Sequence, residues 1–303
     1  MRDILDDPTD EEEDSLSPGG TSTNDQSFLF GFNSSVLSLR KLHPPPEQVL
    51  TFWNIYKTNV DPVLKLLHIP TMEKSILSAA YDMDHISKAQ EALVFSIYFA
   101  SITTLSEDQC AALGVERQTC LHKYRFATEQ AFARCSFLST QELVVLQAFL
   151  LFLVCVRRTD DSRYVWTMTG LLIRLAQALG VHRDGATFDI SPFEIELRRR
   201  LWWQIVILDV RASEDHGCDP TIVEQSYDTK FPLNINDADI APSTKTTPEE
   251  HEGATEMTFD LIRYSFSTTV RRLSYSPPGP GVRLPCIFPY LLDHSHHCLA
   301  VIV

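Results

Sequence analysis

Residues 170–185 read GLLIRLAQALGVHRDG, residues 191–220 read SPFEIELRRRLWWQIVILDVRASEDHGCDP, and residues 230–239 read KFPLNINDAD. Tyr164, Met168, Leu171, Leu175 and Leu179 recur at i, i+4, i+7, i+11 and i+15, which lays an apolar stripe along a helix beginning near Asp161 or Ser162. Gly180 then stands where a left-handed residue ends a helix. Ser191 offers an oxygen to the free amides of a new first turn, Pro192 sits where a missing N–H is harmless, and Glu194 three residues on completes a capping box. Leu197, Leu201, Ile205 and Leu208 carry the apolar stripe forward, while Glu194 to Arg198 and Glu196 to Arg200 are acid-before-base pairs expected on more exposed faces. Arg198, Arg199 and Arg200 therefore read as ion-pair formers across helices rather than phosphate ligands, and Trp202 and Trp203 as core aromatics rather than a ligand stack.

Working outward, Val49, Phe52, Trp53 and Tyr56 fall at i, i+3, i+4 and i+7 after the His43-Pro44-Pro45-Pro46 stop, and open the folded part as an amphipathic helix. Asp61-Pro62-Val63-Leu64-Lys65-Leu66-Leu67-His68-Ile69-Pro70-Thr71 follows as a short apolar segment closed by a His and a Pro. Leu93, Ile97 and Ala100, then Leu121, Tyr124, Thr128 and Phe132, mark further helices, and no alternating strand pattern interrupts residues 47–240. Leu143 to Val156 is the most apolar stretch, but its 14 residues, with Arg157 and Arg158 directly after, fall short of the ~20 that a bilayer span needs. It reads as a central core helix. The predicted class is all-α, a multi-helix array, with no repeat of fixed period.

The ends differ in composition. Residues 1–42 carry Asp6, Asp7, Asp10, Glu11, Glu12, Glu13 and Asp14 and then a Ser/Gly/Pro/Thr stretch, and are predicted to be disordered. Ile4, Leu5, Phe28, Leu29 and Phe30 give this acidic head the mixture of an activation segment, although a plain solvated tail is the favoured reading. Helical spacing resumes from Met257 to Leu273, with Phe259, Ile262, Phe266 and Val270 in register, before residues 276–303 turn Pro/Gly-rich and then His-rich. That tail is expected to be irregular, in a chain either shortened or given a non-native end.

Charge and cysteine usage narrow the function classes. Across 303 residues the formal charge is −14 and the pI about 5.1, which disfavours a nucleic-acid surface, because phosphate neutralisation needs clustered Lys and Arg. The N-terminal residues lack the basic and apolar regions of a secretory signal, so a reducing compartment is expected. The seven scattered cysteines then read as small buried hydrophobes rather than as a disulfide framework.

These residues together carry a resemblance. The helix, His-Arg-Asp turn, capped arginine-tryptophan helix and Pro-Leu-Asn-Ile-Asn-Asp resemble the fungal-specific transcription factor regulatory domain, the middle homology region of zinc-binuclear-cluster regulators of the xylanolytic-activator type. The 61–71 segment is similar to that family's opening motif. The match runs best over 46–239 within a helical domain of 43–275. It rests on Gly180, His182, Arg183, Asp184, Glu196, Arg198, Arg199, Arg200, Trp202, Trp203, Asp209, Pro220, Pro232, Leu233, Asn234 and Asp237, for which a structural role is expected. In particular, Arg183 and Asp184 are expected to tie the turn to neighbouring helices. The family binds DNA through a six-cysteine cluster holding two zinc ions, built on CxxC pairs, and this sequence contains no CxxC. Zinc, and DNA contact, are thus expected only with a missing N-terminal part or a partner.

Other chemistries find little support. His182-Arg183-Asp184 spells the kinase catalytic-loop triplet, but the downstream Asn, the Asp-Phe-Gly and the Gly-rich loop are missing from the sequence. Asp293, His294, His296, His297 and Cys298 are metal ligands by type, yet they lack a second ligand group at fixed spacing, and an incidental His-rich tail is the favoured reading. No catalytic residue or cofactor is assigned. The resemblance implies a nuclear, non-catalytic regulator of a metabolic or secondary-metabolite programme. Its expected partners are transcription machinery or co-regulator proteins, with a small-molecule effector and a dimeric state as further options and no membrane. A cleft beside the segments 191–209 and 217–239 is where an effector would act. A scaffold or truncated remnant, and an enzyme of unknown type with a helical pocket, are the rivals.

Overall fold

The computed structural model describes residues 38–82, 85–158 and 162–274. The acidic head, the Asp161 cap and the His-rich tail lie outside them. Among the described residues the chain forms nine α-helices and no strand, as the pattern predicts: α1 Pro46–Ile55, α2 Ile69–Tyr81, α3 Lys88–Thr103, α4 Glu107–Ala112, α5 Arg117–Arg134, α6 Leu143–Val156, α7 Ser162–Ala178, α8 Pro192–His216 and α9 Thr258–Ser274. Leu39–Leu42 is a 3₁₀ turn whose Leu39 is buried, so order begins before residue 43, earlier than the composition suggests.

Two helices form the centre. Helix α3 is buried without interruption from Glu91 to Thr103, and packs on α1, α5 and α6. A helix apolar all round belongs in the interior, and its small hydroxyls are satisfied locally: those of Ser96, Ser101 and Thr103 donate to carbonyls four residues back. The apolar helix α6 lies against α3, α7 and α8, and its buried Gln147 donates to the Leu66 carbonyl at 3.2 Å. None of the described helices is long and apolar enough to cross a membrane. The described cysteines are free thiols. Burial pushes those of Cys135 and Cys155 up to about 12, which suits the small-hydrophobe reading, whereas Cys218 is exposed and departs from it.

After α1 the chain continues as a π-turn, Tyr56–Val60, in which the Asp61 amide reaches back to the Tyr56 carbonyl. Such turns insert an extra residue and often lie at functional sites. Here the turn carries Asp61 and Lys65 into the interior. His68 closes the segment as the N-cap of α2: its Nδ1 accepts from the Thr71 amide, which leaves the proton on Nε2 for the carbonyls of Asp237 and Ile240 at 2.9 and 3.1 Å.

Helices α7 and α8 form an antiparallel pair joined by the His182-Arg183-Asp184 turn. Gly180 ends α7 at φ +75°, as its position predicts. The buried face of α7 is centred on Val165, Met168, Leu172 and Ala176, while Leu171, Leu175 and Leu179 are only half-buried. The apolar stripe is therefore turned slightly from the expected one, because small residues such as Ala176 face the close-packed partner. Ser191 caps α8 by accepting from the Glu194 amide at 3.2 Å, but Glu194 turns its carboxylate to Arg198, so only half of the capping box forms. Past Gly217, residues 217–257 cross the molecule as an extended strap with 3₁₀ turns at Glu224–Ser226 and Asp237–Asp239.

The last helix forms where expected but faces the other way. Its buried side carries Asp260, Tyr264 and Ser267, and the predicted apolar stripe points outward, with Ile262 63% and Phe266 46% exposed. The rotation follows polar anchoring. The Asp260 carboxylate accepts from the Lys65 amide at 2.7 Å, and from Gln204 and Arg263 at 2.8 Å each.

Candidate functional site

The family-like residues converge on one face of α8, where they fasten the strap. Asp184, at the turn before α8, receives two bonds from Arg199 at 2.9 Å each, and its carboxylate also accepts from the amides of Lys230 and Ala186. Burial opposes ionisation of Asp184, yet Arg199 and these amides hold its carboxyl below the usual range. The neighbouring Arg183 pairs with Asp228 at 3.3 Å, so it ties the turn to the strap rather than to a helix. Asp228 in turn accepts from the Asp184 amide at 2.7 Å.

Further along α8, Glu196 binds Arg200 through one oxygen at 3.0 Å and the Leu233 amide through the other at 3.1 Å. Both side chains of this pair are buried, contrary to the exposed position expected from spacing. At the far end Asp209 accepts from the amides of Thr221 and Ile222 and holds the loop containing Pro220 over the helix. Asn234 donates to the carbonyls of His251 and Gly253 and accepts from Thr255. Pro232 and Leu233 place the strap backbone between these anchors. A strand would satisfy such amides with a neighbouring strand; this strap uses side-chain carboxylates instead.

Arg200 leads into a deeper cluster. Its Nη1 donates to Asp237 at 2.7 Å, and Asp237 also accepts from the Ile69 amide and pairs with Lys65 at 2.9 Å. Lys65 reaches Asp61 at 2.7 Å and Glu256 at 3.0 Å as well. Arg263 completes the group through Asp260. Three cations thus meet five carboxylates, of which Glu256 is half-exposed and the other four are buried. Burial, which outweighs the pull of Lys65, pushes Asp61 up to about 7. Burial also works on Asp237, but Arg200 and Lys65 together keep it below the ordinary range.

Asp61, Lys65, Gln204, Asp260 and Arg263 were not predicted as site residues. The sequence signals are the 61–71 segment, similar to the family's opening motif, and within it Lys65, a charge in the apolar run Pro62 to Ile69 and four residues after an acid. Trp202 is wholly buried, and Trp203 nearly so, with its indole N–H donating to the Lys230 carbonyl at 2.8 Å. Arg198 stays near the surface with Glu194 and the Leu179 carbonyl. His182 stands beside Trp202, with ring centroids 6.1 Å apart. Among the described residues no group of three or more His, Cys, Asp or Glu is arranged to hold a metal ion.

The spread of this anchoring over α1 to α9 agrees with a family model, the fungal specific transcription factor domain, which matches residues 51–273. The chain belongs to that family. The family match extends past residue 239 and through nearly all of α9. Among its relatives, the transcriptional regulator AacuB of Aspergillus aculeatus is 35% identical over 273 residues, covering 90% of this chain and 37% of its own length. The aurofusarin cluster transcription factor aurR2 of Gibberella zeae is 39% identical over 228 residues, 75% of this chain and 34% of its own length. The pyriculol/pyriculariol biosynthesis cluster transcription factor 1 of Pyricularia oryzae is 33% identical over 282 residues, 92% of this chain and 37% of its own length. This fungal transcription factor domain thus spans little more than a third of the relatives it matches.

Proposed function

We propose that this chain is the regulatory part of a transcription regulator for a secondary-metabolite gene cluster, and that it works in the nucleus through transcription machinery or co-regulator proteins. Sequence readout and zinc belong, in this proposal, to a six-cysteine cluster of the full-length regulator or of a partner. The observation that carries the reading is the family match from α1 to α9, joined to relatives whose names place them in biosynthetic gene clusters. The geometry adds support against catalysis: the carboxylates and guanidinium groups of the family-like motif are engaged in holding backbone amides and one another, not displayed to a substrate.

The test joins the chain to an unrelated DNA-binding domain above a reporter gene in a fungal host. A change in reporter output relative to the DNA-binding domain alone is expected, and Arg200→Ala should remove it by unfolding the domain. Unchanged output with the fusion present at equal level would overturn the proposal.

A further inference from the structure

Helix α9 turns a polar side inward and an apolar row outward. Asp260, Tyr264 and Ser267, at i, i+4 and i+7, are buried. Phe259, Ile262, Phe266 and Val270, at i, i+3, i+7 and i+11, form the row: Phe259 and Val270 are half-buried, while Phe266 and Ile262 stand 46% and 63% exposed. The charges of the helix are engaged elsewhere, Asp260 and Arg263 with each other and with the backbone of Lys65 and Val63, Arg271 with the Ile222 carbonyl and Arg272 with Glu224. An exposed row of this kind marks a contact surface, and this one suits an apolar occupant that brings little charge.

The sequence directly after α9 has that chemistry. Beyond Ser274 come Pro277-Pro278-Gly279-Pro280-Gly281, in which proline stops a helix and glycine reaches the left-handed angles that reverse a chain. Residues 282–292 then read VRLPCIFPYLL, with Leu284, Ile287, Phe288, Leu291 and Leu292 as large apolar residues and Arg283 as the one charge. Such a composition belongs to a packing segment rather than to a solvated linker. The lengths agree too. The 17 residues of α9 make a helix of about 25 Å. Residues 284–292 span roughly 30 Å when extended, the path that Pro285 and Pro289 favour, and residues 275–283 reach about as far, enough to set Leu284 beside the end of the row.

We propose that residues 284–292 fold back antiparallel along α9 and cover the row from Phe259 to Val270, so that the last helix is held by the strap on one side and by the chain's own tail on the other. Helix α9 carries Asp260 and Arg263 into the charge cluster beside α8, where Asp260 accepts from Lys65 and Gln204. The tail thereby serves as an outer brace for that cluster. The inference goes beyond the regulatory reading and does not depend on it.

The test places a photo-activated benzophenone side chain at position 262 of the purified 303-residue chain. Cross-links within one molecule, mapped by mass spectrometry to residues 284–292, are expected. Cross-links between two molecules would show a second copy on the row and overturn the proposal, as would cross-links to other residues or none at all. Chymotrypsin cleavage after Phe288 and Tyr290 gives a second measure, because a docked segment is cut only when it opens. Ile262→Asp and Leu284→Asp each put a charge into an apolar contact and should speed that cleavage about tenfold. Leu284→Asp alters no residue of the helical domain, so it decides the matter even if Ile262→Asp does not fold. Equal cleavage rates in Leu284→Asp and the wild type overturn the proposal. Both readouts are taken on the isolated protein, so these outcomes stand whether or not the fusion moves the reporter.

Discussion

Arg200 is held by two carboxylates on different elements, Glu196 on its own helix and Asp237 on the strap, with no solvent contact. Removing one member of a buried pair leaves its partner charged and unpaired, so Arg200→Ala is expected to destabilise the domain by about 3–5 kcal/mol, measured by urea denaturation. Asp61 behaves differently, because its folded carboxyl titrates at about 7 against the ordinary carboxylate value in the unfolded chain. Between about pH 4 and pH 7 the folded state keeps a proton that the unfolded state has lost, so this group's contribution to stability falls as pH rises through that window. Asp184 and Asp237 are shifted downward, and their contribution disappears instead as pH falls below the usual carboxylate range. Urea midpoints from about pH 4.5 to about pH 7.5 should therefore decline more steeply in the wild type than in Asp61→Asn, where the upward-shifted Asp209, Glu214 and Asp260 leave a residual slope; parallel slopes in the two proteins would show that Asp61 is not the titrating group.

Helix α8 shows what local chemistry can and cannot specify. Its start is legible, since Ser191 and Pro192 stand where a cap requires them, and Ser191→Ala should lower stability by about 1 kcal/mol in thermal melts. Trp202, wholly buried at the spacing that predicts it, should cost about 3–5 kcal/mol when replaced by Ala. Apolar periodicity likewise marks α1 in sequence, and unbroken apolarity marks α6. It fails on α9, because the rotation of that helix is set by Asp260 bonding to a backbone amide almost two hundred residues away. The same limit hid the cluster around Lys65. Spacing along a chain reports i, i+4 neighbours, whereas Asp237 and Glu256 reach Lys65 only through the path of a strap that has no periodicity.

For the whole molecule, a charge of −14 and the engagement of the α8 arginines predict that the purified chain gives no sequence-dependent shift with promoter DNA at physiological salt. A sub-micromolar, sequence-selective complex formed by this chain alone would contradict it. The domain is also closed between distant ends: Asp260 receives the Lys65 amide across 195 residues, and Arg263 reaches the Val63 carbonyl across 200. On a ribosome adding ~5–20 residues per second, Lys65 would be made roughly 10–40 s before Asp260. Throughout that interval the nascent first helices must carry a lysine shaped for burial that is paired with Asp61 alone, without the strap carboxylates Asp237 and Glu256. The first half of the domain is thus a natural client for chaperones during synthesis, and its maturation is timed by the arrival of the last helix.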